Sequence, residues 1–583
     1  MKKAIKKAKI KLTEEQKKAK IEEQKKKRKD AAFRRKIRNI FVNAGFKYLS
    51  TMDKHVKIGK RIVEVDAVFF YENILLICED TGASAKDKGH IRKKKEAFDE
   101  IHDNFSDYFR WLCNTFPEQK DNLKKYREDK YLVFNFYISQ SELDITDDER
   151  ELYSNIKFIE PQTLNYFQRI SQTIRLSSRY EIFRFLNIKK DQIGLTTSES
   201  TNKKIKAPII YPQDSTGLRN GVRIVSFMMS AETLLSTSYV MRKDNWEESM
   251  YLYQRLIQKE KIKKIRDFLA KKSEAFYNNI IVGLPDNVQF LDVSGAYKTI
   301  DQITDFERCA IEFPDEMNSI CVIDGQHRIF AHYEGYENDK NEKHIAQLRK
   351  QLHLLVTGLI FPENMPALER TKIQSEIFLD INSNSKPVPA DVLLHIEMIK
   401  NPFSDIGLAR RVIEKLNGRK IFLNKFELST LDESKIKVAS IVKFALRYLV
   451  TITPTEGKVS FYTYWDGSKT DLENKSENAL KEYIDFCAKQ LEMYFSAVKS
   501  NFKTEWNNPN SKLLSVISLN GFIIALNRQL KSDGIQEFNF FIEKFKSLAI
   551  NFSKEVFPYT SSQYRKFSDQ IIQEAFDLDV SEY

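Results

Sequence analysis

The segment ICVIDGQHRIFA, residues 320–331, decides how the middle of this chain is interpreted. Residues 320–323 form an apolar run typical of a buried strand, and the Asp-Gly pair at 324–325 breaks it. Residues 326–328 then open an apolar helical pattern. A strand, a glycine turn and a helix start present backbone N–H groups to an anion. The segment therefore predicts a phosphate-binding junction.

The side chains of this junction suit the same chemistry. Asp324 is expected to cap the helix and orient the turn. Arg328 offers a planar fork that matches phosphate oxygens. His327 has an ordinary pKa near neutrality, so it is expected to act as an acid, a base or a hydrogen-bond donor.

The pentapeptide at 324–328 matches the motif of the DGQHR-domain family, which includes DndB-like proteins of DNA phosphorothioation systems. Three further segments resemble that family in the same order along the chain: SFMMSAETLL (226–235), YQRLIQKEKIKKIRDFLAKKSEAFYNNIIVGL (253–284) and FLDINSNSKPVPADVLL (378–394). The resemblance covers about residues 207–400. It implies a ParB/sulfiredoxin-like α/β domain in which the strand-to-helix junction holds nucleotide phosphates.

The resemblance also implies site residues. A nucleotide or phosphate would be bound by Asp324, Gly325, Gln326, His327 and Arg328, with His327 catalytic if the nucleotide is hydrolysed. Gln326 stands where sulfiredoxins have cysteine, so sulfinic-acid reduction is not expected. Arg255 and Asn382 are additional binding candidates, although either could equally be a solvated or turn-forming residue. ATP, GTP and CTP are not distinguished.

A second motif lies near the N-terminus. Two predicted strands, 61–70 and 74–78, are joined by a turn and bring Asp66, Glu79 and Asp80 to one sheet edge. Clustered carboxylates are the ligands that hard cations such as Mg²⁺ prefer. Metal-assisted phosphodiester cleavage needs such a cluster.

The order helix, strand, strand, helix, strand over about residues 31–140 resembles the PD-(D/E)XK nuclease fold. Asp66 and Glu79 match its two acids, but Thr81 stands at its lysine position. We expect Lys95 to replace that lysine from the following helix, with Lys93 and Lys94 or the loop residues Lys86 and Lys88 as alternatives. The first helix shows no obvious acidic residue. An active nuclease, an inactive DNA-binding relative and an ordinary hairpin with surface acids all remain open.

The charge is concentrated at one end. The 583 residues carry a formal net charge of +13, and residues 1–30 alone hold fourteen Lys or Arg against five Asp or Glu. A lysine-rich arm attracts polyanions without sequence specificity. A solvated arm, DNA contact and a membrane surface are the alternatives. Residues 247–270 are predicted to form a basic helix, which is either a solvated surface helix or one that follows a DNA backbone.

The sequence shows no pattern typical of secretion, membrane insertion or disulfide formation. The N-terminus has no apolar signal-peptide core, and no apolar run approaches the roughly 18 residues of a membrane span. The five cysteines form no CxxC pair, so neither a disulfide framework nor a zinc site is expected. These features predict a cytoplasmic protein without a membrane partner.

The expected fold is α/β plus all-α, divided into a basic arm (1–30), a PD-(D/E)XK nuclease-like domain (31–165), a helical connector and linker (166–206), a DGQHR domain (207–400) and a helical C-terminal region (401–583). The C-terminal apolar stripes are interpreted as core. Oligomeric state stays open, with a homo-oligomer as one alternative.

Three functions fit these motifs. The first is a DNA-associated protein of a DNA-modification or phage-defence system, in which nucleotide binding, with expected hydrolysis, is coupled to a nuclease-like domain. The second is a non-catalytic, DndB-like DNA-binding transcriptional regulator, which Thr81 favours. The third is a scaffold whose DGQHR site binds a nucleotide only structurally.

Overall fold

The computed structural model describes residues 14–580 except 83–87, 144, 146, 195–202, 206–208, 212–216, 218–220, 244, 248–250, 304–306, 315, 384–389, 424, 429–434 and 561. The chain is mixed α/β at its N-terminal and central parts and helical towards its C-terminus, as predicted. Buried apolar residues gather in two large clusters, one under the α/β parts and one within the C-terminal helices.

The N-terminal unit is a five-stranded sheet with helices on both faces, and its strand order is β1-β4-β5-β6-β7. The β1, β4 and β5 strands pair antiparallel, whereas β5, β6 and β7 are parallel. Its elements are α1 (Glu14–Asn43), β1 (Lys47–Ser50), β2 (Val56–Ile58), β3 (Arg61–Val63), β4 (Ala67–Tyr71), β5 (Ile74–Thr81), α2 (Lys88–Asp103), α3 (Phe105–Thr115), α4 (Lys120–Leu123), β6 (Leu132–Ser139), α5 (Asp147–Glu151) and β7 (Ile156–Ile159).

Alternation along β5 decides which helix each of its side chains meets. Leu75 and Ile77 are buried with residues of α2 and α3, whereas Leu76 and Cys78 are buried with residues of α1. Because successive side chains of a strand point to opposite faces, the acids that end β5 are separated too. Glu79 and Asp80 therefore lie on opposite faces of the sheet.

The central unit contains a seven-stranded sheet of order β11-β17-β12-β18-β10-β9-β15 and a four-stranded sheet of order β14-β13-β16-β8. Its elements are β8 (Lys203–Ile205), β9 (Ile209–Tyr211), β10 (Arg223–Ser230), α8 (Ala231–Thr237), β11 (Ser238–Tyr239), α9 (Lys259–Lys272), β12 (Ile280–Gly283), β13 (Gln289–Leu291), β14 (Tyr297–Lys298), β15 (Glu307–Arg308), β16 (Ala310–Phe313), β17 (Ile320–Asp324), α10 (Gln326–Phe330), α11 (Glu342–Gln351), β18 (His353–Ile360) and α12 (Ala367–Ser383).

The segment between these two units is packed rather than extended. Helices α6 (Pro161–Ile174) and α7 (Arg179–Phe185) contribute buried residues to the apolar cluster that both units share. Arg179 pairs with Glu334 at 2.7 Å, and Arg184 pairs with Glu247 at 2.6 Å. Within the predicted connector and linker (166–206), residues 195–202 and 206 lie outside the described part of the chain.

The predicted helix over 247–270 is wrong in its first half. Helix α9 begins at Lys259, and residues 252–257 form a largely buried, extended strap. The Gln254 side-chain amide donates to the carbonyl of Val322, and the Lys243 N–H donates to the Gln254 carbonyl at 2.7 Å. These long-range bonds replace the helical bonds that local sequence favours.

The C-terminal part is a helical bundle around one apolar cluster, as the periodicity predicted. Its elements are α13 (Ala390–Lys400), α14 (Asp405–Asn417), β19 (Phe426–Glu427), β20 (Ile436–Lys437), α15 (Val438–Ile441), a π-helical turn (Val442–Leu446), α16 (Arg447–Val450), α17 (Phe461–Tyr464), α18 (Lys469–Glu473), α19 (Glu477–Asn501), α20 (Lys503–Asn507), α21 (Val516–Asp533), α22 (Phe538–Lys544), α23 (Tyr564–Ile571) and a second π-helical turn (Ile572–Phe576).

All five cysteines are buried and unpaired, as expected from their spacing. Within the described part of the chain, no helix combines the length and apolar character needed to cross a membrane.

Candidate functional site

Asp66 is held at the point where β4 begins. Its backbone N–H donates to the Cys78 carbonyl at 3.1 Å, and its carboxylate accepts from the Asp80 N–H at 2.9 Å. These bonds fix the Asp66 carboxylate beside the end of β5. Its charge raises the pKa of both Glu79 and Asp80, so it lies within electrostatic reach of the two faces.

Glu79 is buried, with a residue exposure of only 4%. Lys94 of α2 places its Nζ 2.7 Å from Oε1 of Glu79, and His90 Nε2 lies 3.6 Å from the same oxygen. The other oxygen, Oε2, has no hydrogen-bond partner among the described residues. Burial and the charge of Asp66 raise the pKa of Glu79 to about 8, although Lys94 opposes the shift.

The rotational orientation of α2 determines which of its lysines faces the acids. Lys95, the residue expected to approach the acids, pairs with Asp99 at 2.7 Å within its own helix. Its neighbour Lys94 is instead largely buried against Glu79 and also donates to the Glu64 carbonyl at 3.2 Å. The structure thus brings Lys94, not Lys95, to the carboxylates. Thr81, at the lysine position of the motif, is buried.

Asp80 lies on the opposite face, towards α1. Arg34 Nε is 3.1 Å from both Asp80 oxygens, and Arg34 Nη2 is 3.8 Å from Asp66. Burial, then Asp66, raises the pKa of Asp80 to about 6, against the opposing charge of Arg34. Asp30 of α1 lines the same cavity of about 400 Å³ as Asp66 and Asp80. The expectation that the first helix offers no acid is therefore wrong.

Among the described residues, no three His, Cys, Asp or Glu side chains are grouped closely enough to hold a metal ion. Asp66, Glu79 and Asp80 therefore do not form one ligand set, because strand alternation turns Asp80 to Arg34. Asp66 and Glu79 still fit a hard cation, since Glu79 Oε2 is a buried carboxylate oxygen with no hydrogen-bond partner within the described ranges. Mg²⁺ is commonly held by only one or two protein carboxylates, with water and substrate phosphate completing its shell.

The second candidate site is the junction of β17 and α10. Gly325 adopts a φ of 101°, a left-handed conformation that favours glycine. The Arg328 Nη2 group donates to Asp324 Oδ2 at 2.8 Å and to the Asn279 carbonyl at 2.7 Å. The expectation that Asp324 caps the helix is wrong: Gly325 is the N-cap residue, without a side-chain cap.

Gln326 connects the junction to the rest of the molecule. Its Oε1 accepts from Arg242 Nε at 3.1 Å, and its Nε2 donates to Gln254 Oε1 and to the Arg255 carbonyl, each at 3.3 Å. Arg242 is fully buried, and its Nη1 also pairs with Glu181 and contacts the Tyr166 hydroxyl at 3.1 Å. A continuous polar network therefore runs from Gln326 into α6 and α7.

His327 is buried and surrounded by cations. Its Nε2 accepts from the Gln258 N–H at 3.1 Å, which requires the unprotonated nitrogen. Burial, followed by the charges of Lys261, Arg242, Arg255 and Arg328, lowers the pKa of His327 to about 3. The expected titration near neutrality is therefore not found, and His327 is neutral at pH 7.

The other two predicted ligands behave differently from each other. Arg255 lies on the strap beside Gln326, and its guanidinium has no hydrogen bond or ion pair among the described residues. Asn382 lies in the last turn of α12, where its amide donates to the Phe378 carbonyl at 2.7 Å. The neighbouring residues 384–389 are outside the described part of the chain.

Sequence reasoning missed the residues that support both sites. Arg34 and Asp30 belong to α1. Most of their neighbours on this helix are also charged, so the sequence does not distinguish these two residues from solvated ones. Glu181, Arg242 and Gln258 act only through contacts between distant segments. The one available signal was the Tyr-Gln-Arg run at 253–255, whose uncharged glutamine and flanking apolar residues are unusual in a solvated basic helix.

Comparison of the chain with protein-family models, with curated proteins and with solved structures finds no match.

Proposed function

We propose that this chain is a DNA-associated protein whose N-terminal unit hydrolyses phosphodiester bonds with a divalent cation. The observation that carries the proposal is the contact of Lys94 with Glu79, whose second carboxylate oxygen is buried and has no partner in the part of the chain that the structure describes. The order of elements from α1 to β6 also agrees with a PD-(D/E)XK nuclease-like fold. In this interpretation Lys94 takes the role that the motif normally assigns to the lysine at position 81.

The residues have distinct roles in this mechanism. Asp66 and Glu79 would hold Mg²⁺, and the bound cation would supply Lewis-acid polarisation of the scissile phosphate. Lys94, fixed at 2.7 Å from Glu79, is placed to orient the attacking water and to offset negative charge as it develops. The Asp80 backbone N–H holds the Asp66 carboxylate, while Arg34 engages the Asp80 side chain on the other face.

DNA is the polyanion that we assign to this site. Residues 20–29 of α1 are exposed, and all but four of them are Lys or Arg. Lys27, Arg34, Arg35 and Arg38 from the same helix line the cavity that reaches Asp66. Cations that lead to Asp66 would neutralise a phosphate backbone on this face. Asp66 would then bind the divalent cation together with Glu79 from the other face.

The DGQHR junction is proposed to bind a nucleotide that controls this activity. The cations around His327 favour an anion, and the unpaired guanidinium of Arg255 is available to one. Gln326, Arg242 and Glu181 form the route by which occupancy of the junction could reach α6 and α7. His327 is neutral, and its Nε2 already accepts a hydrogen bond. We therefore assign it the role of positioning the nucleotide rather than that of transferring a proton.

A specific observation also favours the second candidate, a non-catalytic DNA-binding regulator of the DndB-like kind. Thr81 replaces the motif lysine, and Lys94 and Arg34 each form an ion pair with one of the acids that end β5. Such pairs can stabilise a silent, nuclease-like domain without any cation. The two functions differ in cation binding, which a direct measurement decides.

The test is calorimetric titration of the full chain with Mg²⁺ and with Mn²⁺. The nuclease proposal predicts one cation site that Glu79→Gln abolishes and that Asp80→Asn, on the other face, weakens only slightly. Equal loss in both variants would move the site to the α1 cavity. Absence of binding by the wild-type chain would support the regulator.

The nucleotide proposal has its own test. Phosphate release from ATP, GTP and CTP is measured with and without DNA, alongside Arg255→Gln and Arg328→Ala. Release that DNA stimulates and that both variants lose is expected. A DNA affinity that no nucleotide changes would contradict the proposed coupling between the two sites.

A further inference from the structure

One large cavity belongs to neither site. It lies in the C-terminal bundle, has a volume of about 1060 Å³, and is lined by residues of α14, the first π-helical turn, α16, the 451–459 loop, α18, α21 and α23. Neither a nuclease-like domain nor a DGQHR junction requires it. Its volume matches the upper range of ligand-binding clefts in proteins.

Aromatic faces at this cavity are open to solvent. Phe444 and Tyr448, one helical turn apart, are 50% and 52% exposed. Phe444 belongs to the π-helical turn and stacks against Tyr564, with ring centroids 6.0 Å apart and ring planes at 22°. Large aromatic side chains are normally buried, and π-helical turns are often found at functional sites. These rings form a ready surface for a flat ligand.

The charges around the rings are mostly positive. Six cations line the cavity, namely Arg447, Lys458, Lys475, Arg528, Lys531 and Arg565, against three acids, Asp405, Glu456 and Glu473. Arg447 is paired with Asp405 and Arg528 with Asp569. Lys458, Lys475 and Arg565 have no ion pair among the described residues. The cavity thus offers an excess of available positive charge beside exposed rings.

We propose that this cavity, the C-terminal groove, binds single-stranded nucleic acid. Bases stack on Phe444 and Tyr448, while phosphates contact Arg565, Lys458 and Lys475. Stacking rings beside a cationic track are how proteins hold single strands without sequence preference. Duplex DNA does not fit this description, because its bases are stacked inside the helix and cannot reach the rings. The inference does not depend on cleavage at Glu79.

The test measures binding of a fluorescein-labelled oligo(dT) of about twelve nucleotides by anisotropy, in EDTA so that no cleavage occurs. Phe444→Leu and Tyr448→Leu keep apolar surface but remove a ring, and each is expected to raise Kd about tenfold. Tyr277→Leu, at a ring that is 91% exposed outside the groove, is the matched control. Unchanged Kd in the two groove variants would overturn the proposal.

Two variants that each remove one positive charge distinguish binding in the groove from general attraction by the basic α1 helix. Arg565→Gln is expected to reduce the slope of log Kd against log salt by about 0.7, the value for one phosphate contact on a single strand. Lys566→Gln removes the same charge from the next position of α23, which does not line the groove, and should leave the slope unchanged. Equal effects of the two variants would contradict the groove.

Photocrosslinking gives a readout that does not depend on affinity. An oligo(dT) that carries 5-iodouracil is irradiated with the wild-type chain, and the adducts are mapped by mass spectrometry. Adducts on Phe444, Tyr448 or Tyr564 are expected. Adducts confined to α1, or full competition by poly-glutamate in place of oligo(dT), would overturn the assignment and indicate an acidic protein segment as the occupant.

Discussion

Lys94 Nζ lies 2.7 Å from Oε1 of Glu79, while Lys95, its neighbour on α2, pairs with Asp99 on the helix surface. One residue of helix phase therefore decides which lysine meets the acids. The contact supplies a cation to the acids of the proposed nuclease-like motif, in which Thr81 stands where a lysine is expected. Glu79 Oε2 is buried without a hydrogen-bond partner among the described residues.

Cation binding at Glu79 should depend on pH. The Glu79 pKa is raised to about 8, so the carboxyl is mostly protonated at pH 7 and must lose its proton to bind a cation. We expect Mg²⁺ affinity to rise about tenfold per pH unit below pH 8 and to level off above it. Calorimetry in two buffers of different ionisation enthalpy should show release of close to one proton per cation at pH 7.

Lys94→Gln provides the control for that pH dependence. Lys94 lowers the Glu79 pKa, so its removal should move the levelling-off point to higher pH. An affinity for Mg²⁺ that does not change between pH 6 and pH 9 would rule out Glu79 as a ligand.

The Arg242–Glu181 pair should contribute strongly to stability. Both side chains are buried, so Arg242→Met leaves the Glu181 carboxylate buried without its partner. Removal of one member of a buried pair costs about 3–5 kcal/mol, and Arg242→Met with Glu181→Leu should recover much of that loss. Urea unfolding measures each variant. Lys546→Met, at a pair with both members exposed, should change stability by less than about 1 kcal/mol.

His327 should make the central unit sensitive to acid. Its pKa is about 3 in the folded chain and near 6.5 when unfolded, so between these values the unfolded state binds more protons. Stability is therefore full above pH 6.5 and falls as the pH drops towards 3. His327→Gln, which keeps an acceptor for the Gln258 N–H, should remove about 2 kcal/mol of the loss between pH 7 and pH 5. Parallel acid sensitivity in wild type and variant would contradict a buried neutral His327.

Gly325 is required by the turn between β17 and α10. A Cβ at this position would lie 3.0 Å from both Arg328 Nη2 and Ile280 Cγ1, at a φ of 101°. Gly325→Ala should therefore lower the free energy of unfolding by roughly 1–3 kcal/mol. Gly295→Ala is the comparison, because Gly295 also has a positive φ but no atom within 4 Å of the added Cβ. Equal losses at the two positions would mean that crowding at the junction is unimportant.

Continuous apolar runs made the core strands predictable from sequence. The run at 74–78 became most of β5, and 320–323 became most of β17 with the predicted glycine turn after it. The separation of Glu79 from Asp80 was also contained in the sequence, because strand side chains alternate. The sequence-based prediction nevertheless placed Glu79 and Asp80 together because they are adjacent in the chain.

The remaining features depend on contacts between distant segments. The strap at 252–257 is extended because Gln254 bonds to Val322, which is 68 residues away in the sequence. From the sequence alone, the fully buried Arg242 looks like an ordinary surface cation. Its partners Glu181 and Gln326 lie 61 and 84 residues away in the chain. The phase that turns Lys94 rather than Lys95 inward follows from how α2 packs on the sheet.

The most direct test of the central claim is cleavage of DNA by the purified chain in Mg²⁺, with Lys94→Ala and Lys95→Ala compared in the same assay. The account predicts cleavage by wild type, a loss of about 10²–10⁴-fold in Lys94→Ala, and nearly full activity in Lys95→Ala. DNA that is bound but never cut by wild type, or cleavage that survives in Lys94→Ala, would contradict it.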